Sequence, residues 1–203
     1  EPMDLGTVKS KLEADRNKPY HEKHYQYAEE FAYDVRLVWK NAFLFNLPKD
    51  HVFKAAKSLA EMFEEKLHGR DMYMRSEMLG PPCPLKARCQ LLLSDMRRNP
   101  LSEWFRRADD WKKMGDHYVN VLSSGTPMDL DQVTVRLHNG EYDVAAEGGV
   151  AVFSADTFAR DMGLIWQNAM EFNPVGGVFW LCPKLLKDIF DRRMAILKGA
   201  PVP

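Results

Sequence analysis

Two asparagines, Asn46 and Asn173, each follow a phenylalanine at the end of a long helical segment. An asparagine side chain carries two N–H donors and a carbonyl acceptor, so it can hold one polar group inside an otherwise apolar pocket. A single asparagine after a helix is more often a cap or a turn residue. For these two asparagines we also consider a binding role, because they lie at matching places in the chain.

The chain contains two copies of one pattern. The tetrapeptide Pro-Met-Asp-Leu occurs at 2–5 and at 127–130, and a helical segment that ends in Phe-Asn follows each copy. Four pairs of landmarks keep an offset of 127 residues: Asp34/Asp161, Trp39/Trp166, Asn46/Asn173 and Phe63/Phe190. The prolines are offset by 125 residues, so one copy has gained two residues between landmarks. A repeat of this length indicates two domain-sized copies.

Helices must position both asparagines, because the apolar residues recur at spacings of three and four. The predicted helices of the first copy cover about 5–12, 25–45 and 51–67, with a polar loop at 13–23. Those of the second copy cover about 85–96, 128–137, 155–172 and 178–197, with Ser154 as a cap. The connection 101–126 is rich in large apolar residues, which predicts an ordered and functional loop. A weak strand signal at 150–153 does not alter the all-α prediction.

The 203 residues suffice for two domains. The predicted boundaries are 1–68 for the first copy, 69–85 for a linker rich in glycine and proline, and 86–203 for the second copy. The first copy is partial, because it lacks an opening helix and nearly all of a long loop comparable to 101–126. The sequence leaves open why those residues are missing.

Composition excludes several classes of function. The formal net charge of −1 does not favour direct binding to nucleic acid, and no apolar run approaches the roughly 18 residues of a membrane span. Three cysteines without a CxxC pair indicate neither a disulfide framework nor a zinc site, and suggest a reducing compartment. No cofactor or metal is expected. Because no catalytic triad or phosphate-binding loop is evident either, we do not expect an enzyme.

The repeated landmarks resemble the bromodomain family, as two tandem copies that cover nearly the whole chain. The arrangement is similar to the tandem bromodomain factors of parasitic protists such as kinetoplastids. The resemblance implies two left-handed four-helix bundles, each with a pocket for acetyl-lysine at one end. Each pocket would lie between the long loop after the first helix and the loop before the last helix.

The resemblance also implies roles for particular residues. Asn173 and Asn46 match the asparagine that holds the acetyl carbonyl, and Tyr118 matches the tyrosine that reaches it through a water, with His117 as the competing alignment. The other implied acetyl-lysine contacts are the shelf aromatics Phe105 and Trp104, the gatekeepers Phe179 and Val52, and the aromatics that precede the asparagines, Phe172 and Phe45. Two departures from the family pattern affect the second copy. Glu103-Trp104 replaces the usual Trp-Pro before Phe105, and an insertion lies around 123–125.

Acetylation removes the charge of lysine and leaves an amide with one good acceptor oxygen. An apolar pocket with one asparagine donor accepts that amide and rejects a charged lysine, which would lose its hydration there. We therefore expect a non-enzymatic reader of acetylated lysine peptides, with histone tails and other chromatin proteins as partners. Nuclear localisation is implied by the family alone. The alternative is an interaction scaffold in which one or both copies no longer bind acetyl-lysine.

Overall fold

The computed structural model describes residues 1–78, 84–107, 109–145 and 149–199, and most of them are helical, which confirms the all-α prediction. The first copy consists of α1 (Leu5–Asp15), α2 (Ala28–Phe45) and α3 (His51–Met78), with a short 3₁₀ helix at Tyr20–Glu22. The second copy consists of α4 (Leu85–Arg98), α5 (Asp109–Lys112), α6 (Asp116–Val121), α7 (Leu130–His138), α8 (Ala155–Phe172) and α9 (Val178–Leu197). A 3₁₀ helix at Pro100–Phe105, the shelf helix, follows α4.

The structure extends several of the predicted helices, most of all α1 and α3, and the described residues of the connection 101–126 include short helices. Helix α1 continues to Asp15, into the predicted loop, and α3 continues to Met78, into the predicted linker. Residues 79–83 lie outside the described part of the chain, and the domain boundaries stay a prediction. The weak strand signal corresponds to β2 (Ala151–Phe153), which pairs antiparallel with β1 (Asp143–Ala145). Among the described helices, none is long and apolar enough to span a membrane.

The aspartate of each Pro-Met-Asp-Leu copy starts a helix. Asp4 accepts a hydrogen bond from the backbone N–H of Thr7 at 2.9 Å, and Asp129 accepts one from that of Gln132 at 2.8 Å. Each bond gives an acceptor to a backbone N–H of the first helical turn, because these N–H groups have no carbonyl partner within their own helix. The tetrapeptide therefore recurs for a structural reason, because its aspartate caps a helix in each copy.

The two copies share one hydrophobic core. Buried residues of α2 and α3, such as Val35, Trp39 and Phe53, belong to the same cluster as Phe158 and Leu185 of the second copy. Helix α9 packs against α3, α4 and α8, and α2 packs against the shelf helix. The described parts of both copies thus bury apolar surface against each other, although the sequence predicted two separate domain-sized units.

A matching ionic cluster joins three elements in each copy. In the second copy, the Asp161 carboxylate accepts bonds from Arg136 at 2.7 Å and from the Tyr142 hydroxyl at 3.1 Å. In the first copy, the Asp34 carboxylate accepts bonds from Lys11 and from the Tyr25 hydroxyl, both at 2.7 Å. The two aspartates keep the repeat offset, and each has a structural role, because it joins the short helix, the following loop and the long helix of its copy.

Candidate functional site

Six of the residues predicted for the second pocket surround one cavity of about 490 Å³. The cavity lies between the shelf helix, the segment with α5 and α6, and the turn from α8 to α9. The six are Trp104, Phe105, Tyr118, Phe172, Asn173 and Phe179. Its other lining residues are Arg107, Trp111, Lys113, Met114, Met128, Asp129, Ile165 and Ala169. The walls are therefore mainly aromatic and aliphatic, with Asn173 as an uncharged polar group among them.

Asn173 is held at the C-terminal end of α8 by its own helix. Its backbone N–H donates to the carbonyl of Ala169 at 3.2 Å, and its side-chain Nδ2 donates to the same carbonyl at 2.8 Å. The side-chain amide carries two N–H groups, so this contact orients the group and leaves a second N–H for a ligand. Gly176 follows at φ +86°, a left-handed conformation that suits glycine and turns the chain into α9.

Tyr118 is packed between two other aromatic rings. It stacks on Trp111 with ring centroids 6.2 Å apart and meets Phe172 edge-on at 5.0 Å, and the residue is only 8% exposed. Burial, together with the carboxylates of Asp129 and Glu171, raises the pKa of Tyr118 to about 12. A phenol is protonated at neutral pH even at its ordinary pKa, so Tyr118 can donate a hydrogen bond there.

The competing residue, His117, is exposed and does not line the cavity. Its ring lies 5.9 Å from that of Phe172. Geometry thus favours Tyr118 over His117 at the predicted water-bridging position, although the role itself stays a prediction.

The shelf helix is fixed by polar contacts at both ends. The Asn99 side-chain oxygen accepts a hydrogen bond from the Leu101 backbone at 3.0 Å, and the buried Ser102 hydroxyl donates to the Asn99 carbonyl at 2.7 Å. Past its C-terminal end, the Arg106 carbonyl accepts a bond from the Asp131 backbone at 3.0 Å. These contacts hold the two shelf aromatics in place.

Each shelf aromatic packs against a ring from α8 or α9. Phe105 meets Trp166 at 5.8 Å, and Trp104 meets Phe179 at 5.2 Å, both edge-to-face. Trp104 and Phe179 both line the cavity, so the replacement of Trp-Pro by Glu103-Trp104 still provides an aromatic wall.

Asp129 is a lining residue that sequence reasoning did not assign to the pocket. Besides capping α7, its carboxylate accepts bonds from the Gln132 side chain at 2.7 Å and the Trp111 indole at 3.3 Å. The residue is almost fully buried. It therefore ties the start of α7 to the aromatic that supports Tyr118. Its place in the repeated tetrapeptide was the signal that could have identified it.

The insertion at 123–125 anchors the long connection to α8. The Ser123 hydroxyl donates to Glu171 at 2.6 Å, and Ser124 donates to the side-chain oxygen of Asn168 at 3.1 Å. Hydrogen bonds from Ser123 and Gln167 lower the pKa of Glu171. The predicted packing of this connection is confirmed, because it contacts α8 through its side chains as well as its backbone.

The predicted residues of the first copy do not join this cavity. Asn46 repeats the geometry of Asn173, since its Nδ2 donates to the Ala42 carbonyl at 2.8 Å. Phe45, however, is 88% exposed, and Val52 is 41% exposed. The spacing of three and four residues between Val38, Ala42 and Phe45 predicts that they share the packed face of α2, and for Phe45 this prediction is wrong. The helix ends at Phe45, and the ring extends past the elements that cover the rest of that face.

Comparison with known proteins agrees with the repeat. A sequence profile of the Bromodomain family matches residues 1–58 and 89–182. Transcription factor GTE1 of Arabidopsis thaliana is 46% identical over 65 residues, which are 32% of this chain and 15% of that protein. Transcription factor GTE3, chloroplastic, of the same plant is 44% identical over 66 residues, or 32% and 13% of the two chains. The matched segments thus span a small part of these relatives.

Among solved structures, the acetylated Rsc4 tandem bromodomain aligns with 98% of this chain and 68% of its own. The sequence identity is 21% and the TM-score is 0.42. The two segments matched by the family profile fall in the two copies of the repeat and together cover most of the chain. The chain therefore belongs to the bromodomain family.

Proposed function

We propose that the second copy binds acetylated lysine, with the free N–H of the Asn173 side chain donating to the acetyl carbonyl. The observation that carries this proposal is the single amide donor on the wall of an otherwise mainly apolar cavity. A buried acceptor costs free energy unless it finds a donor, and Asn173 supplies one. Tyr118 offers a second, protonated donor that a bridging water could connect to the same oxygen.

The charges around the cavity support selection against unmodified lysine. Arg107 and Lys113 lie in its lining, and their positive charge repels an ammonium group. The Asp129 carboxylate attracts one, but its oxygens already accept three hydrogen bonds from Gln132 and Trp111. A neutral acetamide avoids both the repulsion and the loss of hydration that a cation would suffer.

We infer that the ligands are acetylated histone tails and other chromatin proteins, that the protein acts as a non-enzymatic reader, and that it works in the nucleus. The support is family membership and the names of two relatives, which are transcription factors. Because GTE3 is described as chloroplastic, imaging of the tagged protein tests the proposed localisation, and a signal confined to plastids would contradict it.

The test of binding is an NMR titration of ¹⁵N-labelled protein with an acetylated histone-tail peptide and its unmodified counterpart. We expect saturable shifts at Asn173 and Tyr118 with the acetylated peptide alone. Replacement Asn173→Ala removes the donor and should weaken binding at least about tenfold, because the acetyl oxygen is then buried without a partner.

The matched control is Asn46→Ala, which removes the equivalent side chain from the first copy. It should leave the shifts around the second cavity unchanged, and thermal unfolding should show that both variants are folded. Affinity of Asn173→Ala equal to that of the parent protein would refute the proposal, as would equal shifts with the unmodified peptide.

A second candidate function concerns the first copy, which we infer to act as a structural scaffold. Its Phe45 is largely in solvent, whereas the equivalent Phe172 of the second copy is half-buried and lines the cavity beside Asn173. Its buried residues instead pack into the core of the second copy. In the same titration this candidate predicts no saturable shift at Asn46, and a shift there with the acetylated peptide alone would refute it.

A further inference from the structure

A lysine of the first copy reaches the pocket wall of the second. Lys40 lies near the C-terminal end of α2, where this helix packs against the shelf helix. Its side chain is only 12% exposed, which is unusual for lysine and requires a partner for the charge. The ammonium group forms an ion pair with Glu103 and lies 5.0 Å from the centre of the Trp104 ring.

Both contacts of Lys40 involve the pair of residues that departs from the family pattern. A carboxylate and an indole face are two groups that attract an ammonium ion. The hydrogen bond from Lys40 is the main cause that lowers the pKa of Glu103, with Arg106 adding to the effect. The departure from the family pattern at Glu103-Trp104 is therefore explained by a contact with a residue of the other copy.

The contact continues from Trp104 into the cavity. Trp104 packs edge-to-face on Phe179 at 5.2 Å, and both rings line the cavity beside Asn173. The residue equivalent to Lys40 in the second copy is Gln167, which is exposed and bonds to Ser123 and Glu171. The lysine is thus specific to the first copy.

We propose that Lys40 is a positioning residue of the acetyl-lysine pocket, which holds Trp104 against Phe179 and so shapes the entrance of the cavity. This inference rests on the proposed function of the second copy. It gives the first copy a defined part in ligand binding, because one of its side chains supports the wall that the ligand contacts.

The test compares Lys40→Met with Lys40→Arg and with Lys54→Met, a matched change at an exposed lysine of α3. Loss of the charge should weaken binding of the acetylated peptide about three- to tenfold, the range of a partly desolvated cation–π contact. Lys40→Arg should restore most of the affinity, and Lys54→Met should have no effect.

A second readout in the ligand-free protein separates this inference from the proposed function. The indole N–H resonance of Trp104 should shift or broaden in Lys40→Met and stay in place in Lys54→Met. If the parent protein bound no acetylated peptide, the proposed function would fail, while this resonance would still report whether Lys40 positions Trp104.

A double-mutant cycle tests whether Lys40 acts through Trp104. In a Trp104→Leu background, Lys40→Met should cause no further loss of affinity, since the side chain it positions is gone. Should Lys40→Met fail to fold, Glu103→Gln is expected to move the same resonance in the same direction. An unchanged Trp104 resonance together with unchanged affinity in Lys40→Met would overturn the inference.

Discussion

At the scale of single residues, burial decides what a shared residue type can do. Asn46 and Asn173 make the same bond to their own helix, yet Phe45 before Asn46 is exposed, whereas Phe172 before Asn173 lines the cavity. Tyr118 is equally dependent on its surroundings, because the packing of Trp111 and Phe172 removes it from water. The ability of Asn173 and Tyr118 to bind a ligand thus depends on the aromatic residues around them as well as on their own polar groups.

The raised pKa of Tyr118 predicts a dependence of stability on alkaline pH. Folding favours the neutral phenol, so its contribution is complete below about pH 10, the ordinary pKa, and is lost as pH rises towards about 12. The whole effect amounts to roughly 2–3 kcal/mol. In urea unfolding between pH 9 and pH 11, Tyr118→Phe should therefore lose less stability than the parent protein.

Tyr142 and Tyr25 also have raised pKa values, chiefly because of burial, so the alkaline loss should become smaller in Tyr118→Phe rather than disappear. The control is Tyr33→Phe, at an exposed position, which should follow the parent profile. Parallel profiles for Tyr118→Phe and the parent would show that the phenol is not desolvated as described.

At the scale of elements, the two aspartate clusters connect the short helix and the following loop to the long helix of each copy. We expect Asp161→Asn to lower the free energy of unfolding by about 1.5–3 kcal/mol, because it weakens bonds from the Arg136 cation and the Tyr142 hydroxyl. Asp34→Asn should cost less, because its side chain is 11% exposed against 3% for Asp161. Urea unfolding of both variants checks this order, and the reverse order would contradict it.

The same scale shows what the sequence could predict. The periodicity of the apolar residues and the capping signals predicted the bounds of α8 and α9 closely. Ser154 marks the start of α8, and Asn173-Pro174 marks the break between the two helices. The end of α3 was missed because Gly69 costs only about 1 kcal/mol in a helix, and the residues after it include good helix formers. Phe172 follows from the repeated Phe-Asn landmark, whereas Trp104, Phe105 and Tyr118 lie in a connection that the first copy lacks and were found through the family resemblance. Lys40 was not found, because its contact joins residues from different copies that no local spacing relates.

At the scale of the whole molecule, the shared core predicts cooperative unfolding of the two copies. Trp39 and Trp166 are equivalent buried tryptophans, one in each copy, within the same hydrophobic cluster. In a urea titration followed by NMR, their indole N–H signals should disappear with one common midpoint. Loss of the Trp39 signal at clearly lower urea than that of Trp166 would show instead that the copies are independent folding units.

The bond between Lys40 and Glu103 also has an evolutionary consequence. After a duplication, two copies of a module can diverge freely only if neither depends on a side chain of the other. Here a lysine of one copy neutralises a carboxylate of the other, whereas the equivalent position in the second copy is a glutamine. Substitutions at positions 40 and 103 should therefore co-vary among close relatives of this chain, and neither copy should be lost or exchanged alone.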